Sequence, residues 1–383
     1  MKYCKKCMQM DTRYGLKLDE NQICGGCHYH ESLDKIDWDK RKQELADIIE
    51  NAKKKAKENG SIYDCCIGVS GGKDSTLLAC YLKENFDANI LLINCSSTPI
   101  TEDGKYNIEN LRNKGLDMLH FMGDPITAKK LALYSFEQYG HICKPLEHLI
   151  FSTVTRVALN FKIPLIVMGE NGALVWGTSY QKADDDWFGV INTNTNDGIL
   201  SAKIWEIEGI DKRKLDAYRF PDLSQIKEAG IRAIFLQYYI KQYGPVYNAD
   251  FSVARGMRGR YNDTPEEIGR YRIFSSVDDD LMIVNEMLKY LKNGFGRASD
   301  DVVDDLRNKR ITWDEGVKLI EKFDGLCGQK YIKYCCEYLE ISEEYFWQIV
   351  DKHVNKKLFK RNSSGSGPRW ERKFKVGEDY INL

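Results

Sequence analysis

The stretch that most constrains this chain is Tyr63 to Ala79, Tyr-Asp-Cys-Cys-Ile-Gly-Val-Ser-Gly-Gly-Lys-Asp-Ser-Thr-Leu-Leu-Ala. The apolar run Cys65 to Val69 reads as a buried strand. It breaks into Ser70-Gly71-Gly72-Lys73-Asp74-Ser75, and an apolar helix is expected from Thr76. Two glycines let backbone N–H groups approach an anion without interference from Cβ. The helix that follows aims its N-terminus at the same place. Strand, cradle and helix together predict an α/β fold with a phosphate site at the turn. It is not a Walker A loop: that spacing needs a glycine where Ile67 stands, and Ser75 falls two residues after Lys73 instead of one.

The chain has 383 residues and a formal net charge of −1, enough length for two domains and no global basic field. Nucleic acid is therefore not an expected partner. No N-terminal apolar segment and no long uncharged apolar run stand out, so neither a signal peptide nor a membrane span is expected. Twelve cysteines, including the adjacent pairs Cys65-Cys66 and Cys335-Cys336, suit a reducing cytoplasm better than a disulfide framework. The one biased tract is Ser/Gly-rich, at 363–367.

The N-terminus carries Cys4-Lys-Lys-Cys7 and Cys24-Gly-Gly-Cys27, two knuckles sixteen residues apart. Four thiolates at this spacing can close a tetrahedral zinc site with no open position, which makes it structural. An iron–sulfur cluster is the alternative use of the same ligands. His28 and His30 read as surface residues, with a substitute ligand role as the other option.

Asp39 to Glu58 is an amphipathic helix with Leu45, Ile48, Ile49, Ala52 and Ala56 on one face. Strands at Ile62–Val69, Asn89–Cys95, Asp117–Met122 and Pro164–Met168 then alternate with helices at 76–85, 105–114, 126–139 and 146–161. This alternation predicts a doubly wound parallel sheet. In such sheets ligands sit at the C-terminal strand ends. The loop, Asn94–Ser97 and Gly169-Glu170-Asn171 all fall there, as a site for a phosphate-bearing ligand requires. Asp184-Asp185-Asp186-Trp187 is an acidic turn, either solvated or holding Mg²⁺ or a sugar hydroxyl. Ile231–Ile240 reads as a further strand. Helices are expected from Thr264, whose Pro265-Glu266-Glu267 follow as a helix start, and over Leu281–Lys292 and Thr312–Phe323. Three domains result: a Cys4 module over 1–36, an α/β domain over 37–260, and a helical domain and tail over 261–383.

The loop resembles the Ser-Gly-Gly-x-Asp-Ser motif of the PP-loop ATP pyrophosphatases, whose fold is HUP-like (adenine nucleotide α-hydrolase-like). The wider chain is similar to the N-acetyl sugar amidotransferases of bacterial surface-polysaccharide and flagellin-glycan pathways. That resemblance rests on the Cys pairs, Pro164-Leu-Ile-Val-Met-Gly-Glu-Asn171, Tyr218-Arg-Phe-Pro-Asp222, Arg232-Ala-Ile-Phe-Leu and Gly294-Phe-Gly-Arg-Ala-Ser-Asp300. It implies ATP, Mg²⁺ and a structural Zn²⁺ on Cys4, Cys7, Cys24 and Cys27. It implies adenylation of an acetamido oxygen, with AMP and pyrophosphate released, and replacement by ammonia to give an acetamidino sugar. Ser70, Gly71, Gly72, Lys73, Asp74 and Ser75 would hold the pyrophosphate, and Asp74 would order the loop or hold Mg²⁺. Lys73, Asp74 and Glu170 are the catalytic candidates. Asn94, Gly169, Glu170, Asn171 and Arg297 are candidates for the nucleotide or acceptor, with an ion pair as the other option for Arg297.

The acceptor would be an acetamido sugar or sugar nucleotide. The chain begins Met1-Lys2, and Gly325-Leu-Cys327-Gly-Gln329 fails the glutaminase elbow at Gln329. Ammonia is therefore expected from a separate glutaminase subunit. Oligomeric state is open, a homodimer being one option. The rival reading is a tRNA thiolase with an N-terminal zinc module; against it, Cys143 has no partner cysteine four residues away.

Overall fold

A computed structural model describes residues 1–178, 207, 209–362 and 368–380. The acidic turn at 184–187 and the tract at 363–367 lie outside the described residues. Helix α1 (Gly25–Ser32) closes the second cysteine knuckle, and α2 (Trp38–Asn59) leads into the α/β part. There β1 (Cys65–Val69), α3 (Lys73–Phe86), β2 (Ile90–Ser96), α4 (Glu102–Arg112) and β3 (Asp117–Met122) follow in turn. Next come α5 (Pro125–Tyr139), α6 (Lys144–Asn160), β4 (Leu165–Met168), the single turn α7 (Gly172–Val175), β5 (Arg232–Phe235) and α8 (Pro245–Val253).

The five strands form one parallel sheet in the order β3-β2-β1-β4-β5. The order reverses direction between β1 and β4, the switch point at which open α/β sheets bind ligands. β1 is central, and this explains its unbroken apolar run: a strand covered on both faces has no solvent side. Ile67 and Val69 pack with Leu77, Leu78 and Leu82 of α3 and with Leu45 and Ile49 of α2. Cys66 points the other way, among Ile93, Val154, Ala158 and Ile166. Ile67 and Leu77 are fully buried, so cutting either to alanine is expected to cost about 2–5 kcal/mol.

Past the sheet the chain is helical: α9 (Leu281–Asn293), α10 (Arg297–Arg307), α11 (Trp313–Phe323), α12 (Gln329–Leu339) and α13 (Glu343–His353). A short antiparallel pair, Phe359–Arg361 with Trp370–Arg372, follows. Their core includes Val284, Leu288, Val302, Ile332 and Phe346, and it also takes in Met1, Tyr3, Met8 and Met10. The amine of Met1 donates to the Tyr380 carbonyl at 2.8 Å, and the Tyr3 N–H donates to Asp379 Oδ1 at 2.9 Å. No helix among the described residues is long and apolar enough to cross a membrane.

Several boundaries differ from expectation. The first helix of the α/β part starts at Lys73, not Thr76, so Lys73 and Asp74 stand in its first turn. The strand expected over Ile231–Ile240 ends at Phe235. There Leu236–Tyr238 curls into a 3₁₀ turn, because the Gln237 N–H bonds back to the Gly169 carbonyl and its side chain accepts from the Asn171 N–H. The capping box at Thr264 and Glu267 forms, but the helix stops at Ile268, where Gly269 turns left-handed (φ +62°). Within Gly294-Phe-Gly-Arg-Ala-Ser-Asp300, α10 starts at Arg297.

Candidate active site

The chain leaves β1 at Val69 and must turn within three residues to enter α3. Gly71 makes this possible. Its φ is +81°, and a Cβ there would lie 2.9 Å from the Asn107 Cβ and 3.1 Å from the Ile108 nitrogen. Ser70 Oγ accepts from the Gly72 N–H at 3.3 Å, and Ser75 Oγ donates to the Gly72 carbonyl at 3.2 Å. Each serine thus braces the turn from one side.

Lys73 is 5% exposed, and its ammonium sits 2.6 Å from Asp74 Oδ2. The other Asp74 oxygen accepts from Asn248 Nδ2 at 2.7 Å. Ser252, one helical turn beyond Asn248 on α8, donates to the Lys73 carbonyl at 2.7 Å. Burial works to raise the Asp74 carboxyl, but the Lys73 ammonium and the Asn248 amide outweigh it and hold it below the usual carboxylate range. α8 is thus the second support of the loop. Sequence reading missed Asn248 and Ser252; their i, i+4 spacing after Gly244-Pro245 is the one signal that was present.

Asn94 closes the β2 side. It is opposite Val69 in the register, 2% exposed, and its Nδ2 donates to the Val69 carbonyl at 2.8 Å. Its Oδ1 is buried and without a hydrogen bond. On the β4 side, Asn171 is buried, receives support from Gln237 and caps α7 through the Ala173 N–H at 2.8 Å. Glu170 projects into open space beside it. The surrounding protein mass and the Asp74 carboxylate raise the Glu170 carboxyl, while Lys73 and Arg297 pull it down; the net shift is upward. The same charges act on Asp74, so the loop, Glu170 and Arg297 share one electrostatic neighbourhood. Arg297 Nη2 donates to Ser275 Oγ at 2.9 Å, and its Nε lies 3.9 Å from Asp301. Arg297 thus faces Asp301 at long range while its Nε makes no hydrogen bond.

Glu170 and Arg297 line a cavity of about 400 Å³. Its walls come from the ends of β4 and β5, from α10, and from Gly26, Tyr29 and His30 of the cysteine knuckle. The knuckle is compact. Cys4 and Cys27 sulfurs are 3.8 Å apart, Cys7 and Cys24 sulfurs 3.6 Å, and all four are buried within 4.8 Å of one another. One ion with metal–sulfur bonds of about 2.3 Å needs tetrahedral edges of about 3.8 Å, so these four residues can hold a single metal. A four-iron cluster binds each thiolate to a different iron and so sets the sulfurs further apart than one ion does. Among the described residues this is the one cluster of three or more metal-ligating side chains.

Arg307 of α10 is the knuckle's outer partner. Its Nη2 donates to Cys24 Sγ at 3.3 Å, to Cys7 Sγ at 3.6 Å and to Gln9 Oε1 at 2.8 Å, and its Nη1 donates to the Val175 carbonyl. Burial works to lower the guanidinium, and the thiols more than offset it. Gly26 leaves the room for this contact: a Cβ there would be 2.5 Å from Arg307 Nη2 and 2.7 Å from the Val175 oxygen. Cys143 is elsewhere, 4% exposed in the helical core, where burial pushes its thiol far up. Such a thiol stays protonated and is a poor nucleophile.

Residues 267–375 match the family model described as LPS biosynthesis protein WbpG-like, C-terminal domain. The resemblance drawn from the sequence holds for that part. Among curated proteins no match is found. Among solved structures, the chain is similar to an NH3-dependent NAD synthetase from Campylobacter jejuni at 18% identity, covering 37% of this chain and 60% of that one (TM-score 0.27). It is similar to the U34-tRNA thiolase NcsA from Methanococcus maripaludis, with its 4Fe-4S cluster, at 13% identity over 76% of this chain and 87% of that one (TM-score 0.31). An NMN synthetase from Francisella tularensis is similar at 15% identity over 57% and 94% (TM-score 0.27). The chain spans less than two thirds of the length of the NAD synthetase it matches.

Proposed function

We propose that this chain, whose residues 267–375 carry a WbpG-like C-terminal domain, is an ATP-dependent amidotransferase acting on an N-acetylated sugar or sugar nucleotide. The observation that carries this reading is the Lys73–Asp74 pair, clamped by Asn248 in the first turn of α3 and electrostatically joined to Glu170 at the mouth of a cavity.

An amide carbon is a poor electrophile because its oxygen is a poor leaving group. ATP supplies the remedy: AMP is placed on the amide oxygen and pyrophosphate departs. Ammonia then adds to the carbon, AMP leaves with the former amide oxygen, and one proton is lost to give the amidine. The chain's own part is positioning and charge. The N–H groups at Gly71–Gly72 and the α3 N-terminus suit the departing pyrophosphate, and Lys73 neutralises the charge that grows on it. Mg²⁺ is usually held by one or two carboxylates together with substrate phosphates, and Asp74 would be the acid to join it. Glu170, with its raised affinity for a proton, suits the proton that ammonia must shed. The sulfur spacing of the knuckle suits zinc.

Ammonia comes from a separate glutaminase, with free ammonium as its substitute in vitro. In support, burial pushes the Cys327 thiol up to about 12, the wrong direction for a glutaminase nucleophile. Glutamine hydrolysis by the purified chain would overturn this part.

The test is a mass-spectrometric assay of the purified protein with ATP, Mg²⁺, ammonium and a panel of acetamido sugars and sugar nucleotides. Acceptor-dependent AMP release, with one sugar oxygen replaced by NH, is expected. Pyrophosphate release without a sugar product would refute the acceptor class and keep the ATP chemistry.

A further inference from the structure

The cavity beside Glu170 is larger than ammonia needs; about 400 Å³ is the size of a small-molecule site. Most charged atoms along its α10 wall are already used. Asp300 is paired with Arg13 and Lys289, and Asp304 with Arg272 and Arg310. Asp301 is different. It is 1% exposed, its Oδ2 makes no hydrogen bond, and its Oδ1 has only distant ion-pair contacts, 3.8 Å to Arg272 and 3.9 Å to Arg297. Arg297 Nε likewise makes no hydrogen bond. Asp301 and Arg297 face each other just behind the cavity wall, each with one unsatisfied polar atom, and a small turn of either side chain brings that atom to a ligand that carries both donor and acceptor groups. The rings of Tyr29 and Tyr247 line the same space. Carboxylate, guanidinium N–H and aromatic faces together suit a polyhydroxylated ring that carries an amide, and suit an inorganic anion poorly.

Resting on the amidotransferase reading, we propose that this cavity is the acceptor site. It takes the neutral sugar ring with its N-acyl group directed at Glu170. Asp301 accepts from a sugar hydroxyl or the amide N–H, and Arg297 Nε donates to a ring substituent. The metal knuckle then has a second role: through Tyr29 it forms part of the sugar pocket, which explains why a structural metal module is set against α10. Loss of pyrophosphate chemistry is not expected from changes here, because the nucleotide cradle lies on the β1 side.

The experiment is a steady-state comparison of metal-loaded wild type, Asp301→Asn and Tyr29→Ala, with the acetamido sugar that the wild type converts. The expected result is a rise in acceptor KM of about ten- to hundred-fold for Asp301→Asn and a clear rise for Tyr29→Ala, with ATP KM unchanged in both. Because Asp301→Asn also disturbs Arg272 and Arg297, melting temperatures are recorded, and Tyr29→Ala is decisive if the first variant unfolds. Saturation-transfer NMR of the sugar gives a readout independent of turnover. Amidine formation with unchanged acceptor KM in Tyr29→Ala would overturn the cavity assignment and leave the reaction standing. A wild type that releases AMP with no acetamido sugar would overturn both.

Discussion

Replacing Asn248 with alanine tests the idea that α8 organises the ATP loop from outside the motif. Asn248 is fully buried and its amide donates to Asp74 Oδ1 at 2.7 Å, while its own Oδ1 accepts from the Gly244 N–H at 3.1 Å. A hydrogen bond to a carboxylate is worth about 1.5–3 kcal/mol. The Asp74 side chain keeps 33% of its surface open, so water can replace part of the loss. We therefore expect about 1–2 kcal/mol of lost transition-state stabilisation, or roughly a five- to thirty-fold fall in kcat/KM for ATP. Asn248→Asp should be worse, since it sets a second carboxylate against Asp74 and drives one of the two to take up a proton. The assay is acceptor-dependent pyrophosphate release across ATP concentrations, with circular dichroism to confirm the fold. Wild-type kcat/KM in Asn248→Ala, or full activity in Asn248→Asp, would refute the claim that this contact sets the Lys73–Asp74 geometry.

Three other outcomes are expected. Arg307→Met removes a half-buried cation from two thiols, Gln9 and the Val175 carbonyl; unfolding should become easier by about 1–3 kcal/mol, read by denaturant titration, and a melt matching wild type would contradict it. Treating the protein with a strong chelator, or lowering the pH so that protons compete for the thiolates, should release one metal ion per chain and lower the melting temperature; native mass spectrometry shows whether the ion was there. Asp279 is 4% exposed, and burial and the neighbouring Asp278 raise its carboxyl to about 7. The folded state therefore holds a proton that the unfolded state releases near pH 4, so this group favours folding less as pH rises from about 4 to about 7. Asp279→Asn should thus gain stability over wild type at pH 8 and lose that advantage near pH 4, measured by thermal melts across the range.

The parts that could be read in the sequence are those whose causes are local. β1, the loop and α3 were legible because an apolar run, two glycines and a helical period sit within one short stretch, and the parallel sheet followed from alternation. The knuckle was legible for the same reason. What escaped depends on residues far apart in the chain. β5 is cut short because Gln237 is recruited by Gly169 and Asn171. Asn248 and Ser252 gain meaning only when α8 lands on α3. Arg307 meets Cys7 across a separation of 300 residues, and no spacing rule reaches that far. Cys143, whose role the sequence leaves open, is part of the helical core.

The first ten residues are built into the core of the helical part. Met1, Tyr3, Met8 and Met10 pack with Val284, Leu288, Ile332 and Phe346, and Met1 bonds to Tyr380 across 379 positions. Closing so long a loop is entropically expensive and slow to find. During synthesis this segment is made before α9 to α13 and can take its seat only after they have left the ribosome. Until then four apolar side chains are left exposed and the late helices lack part of their filling. Residues 261–383 expressed alone would miss that filling, and co-expressing the opening segment in trans should restore it.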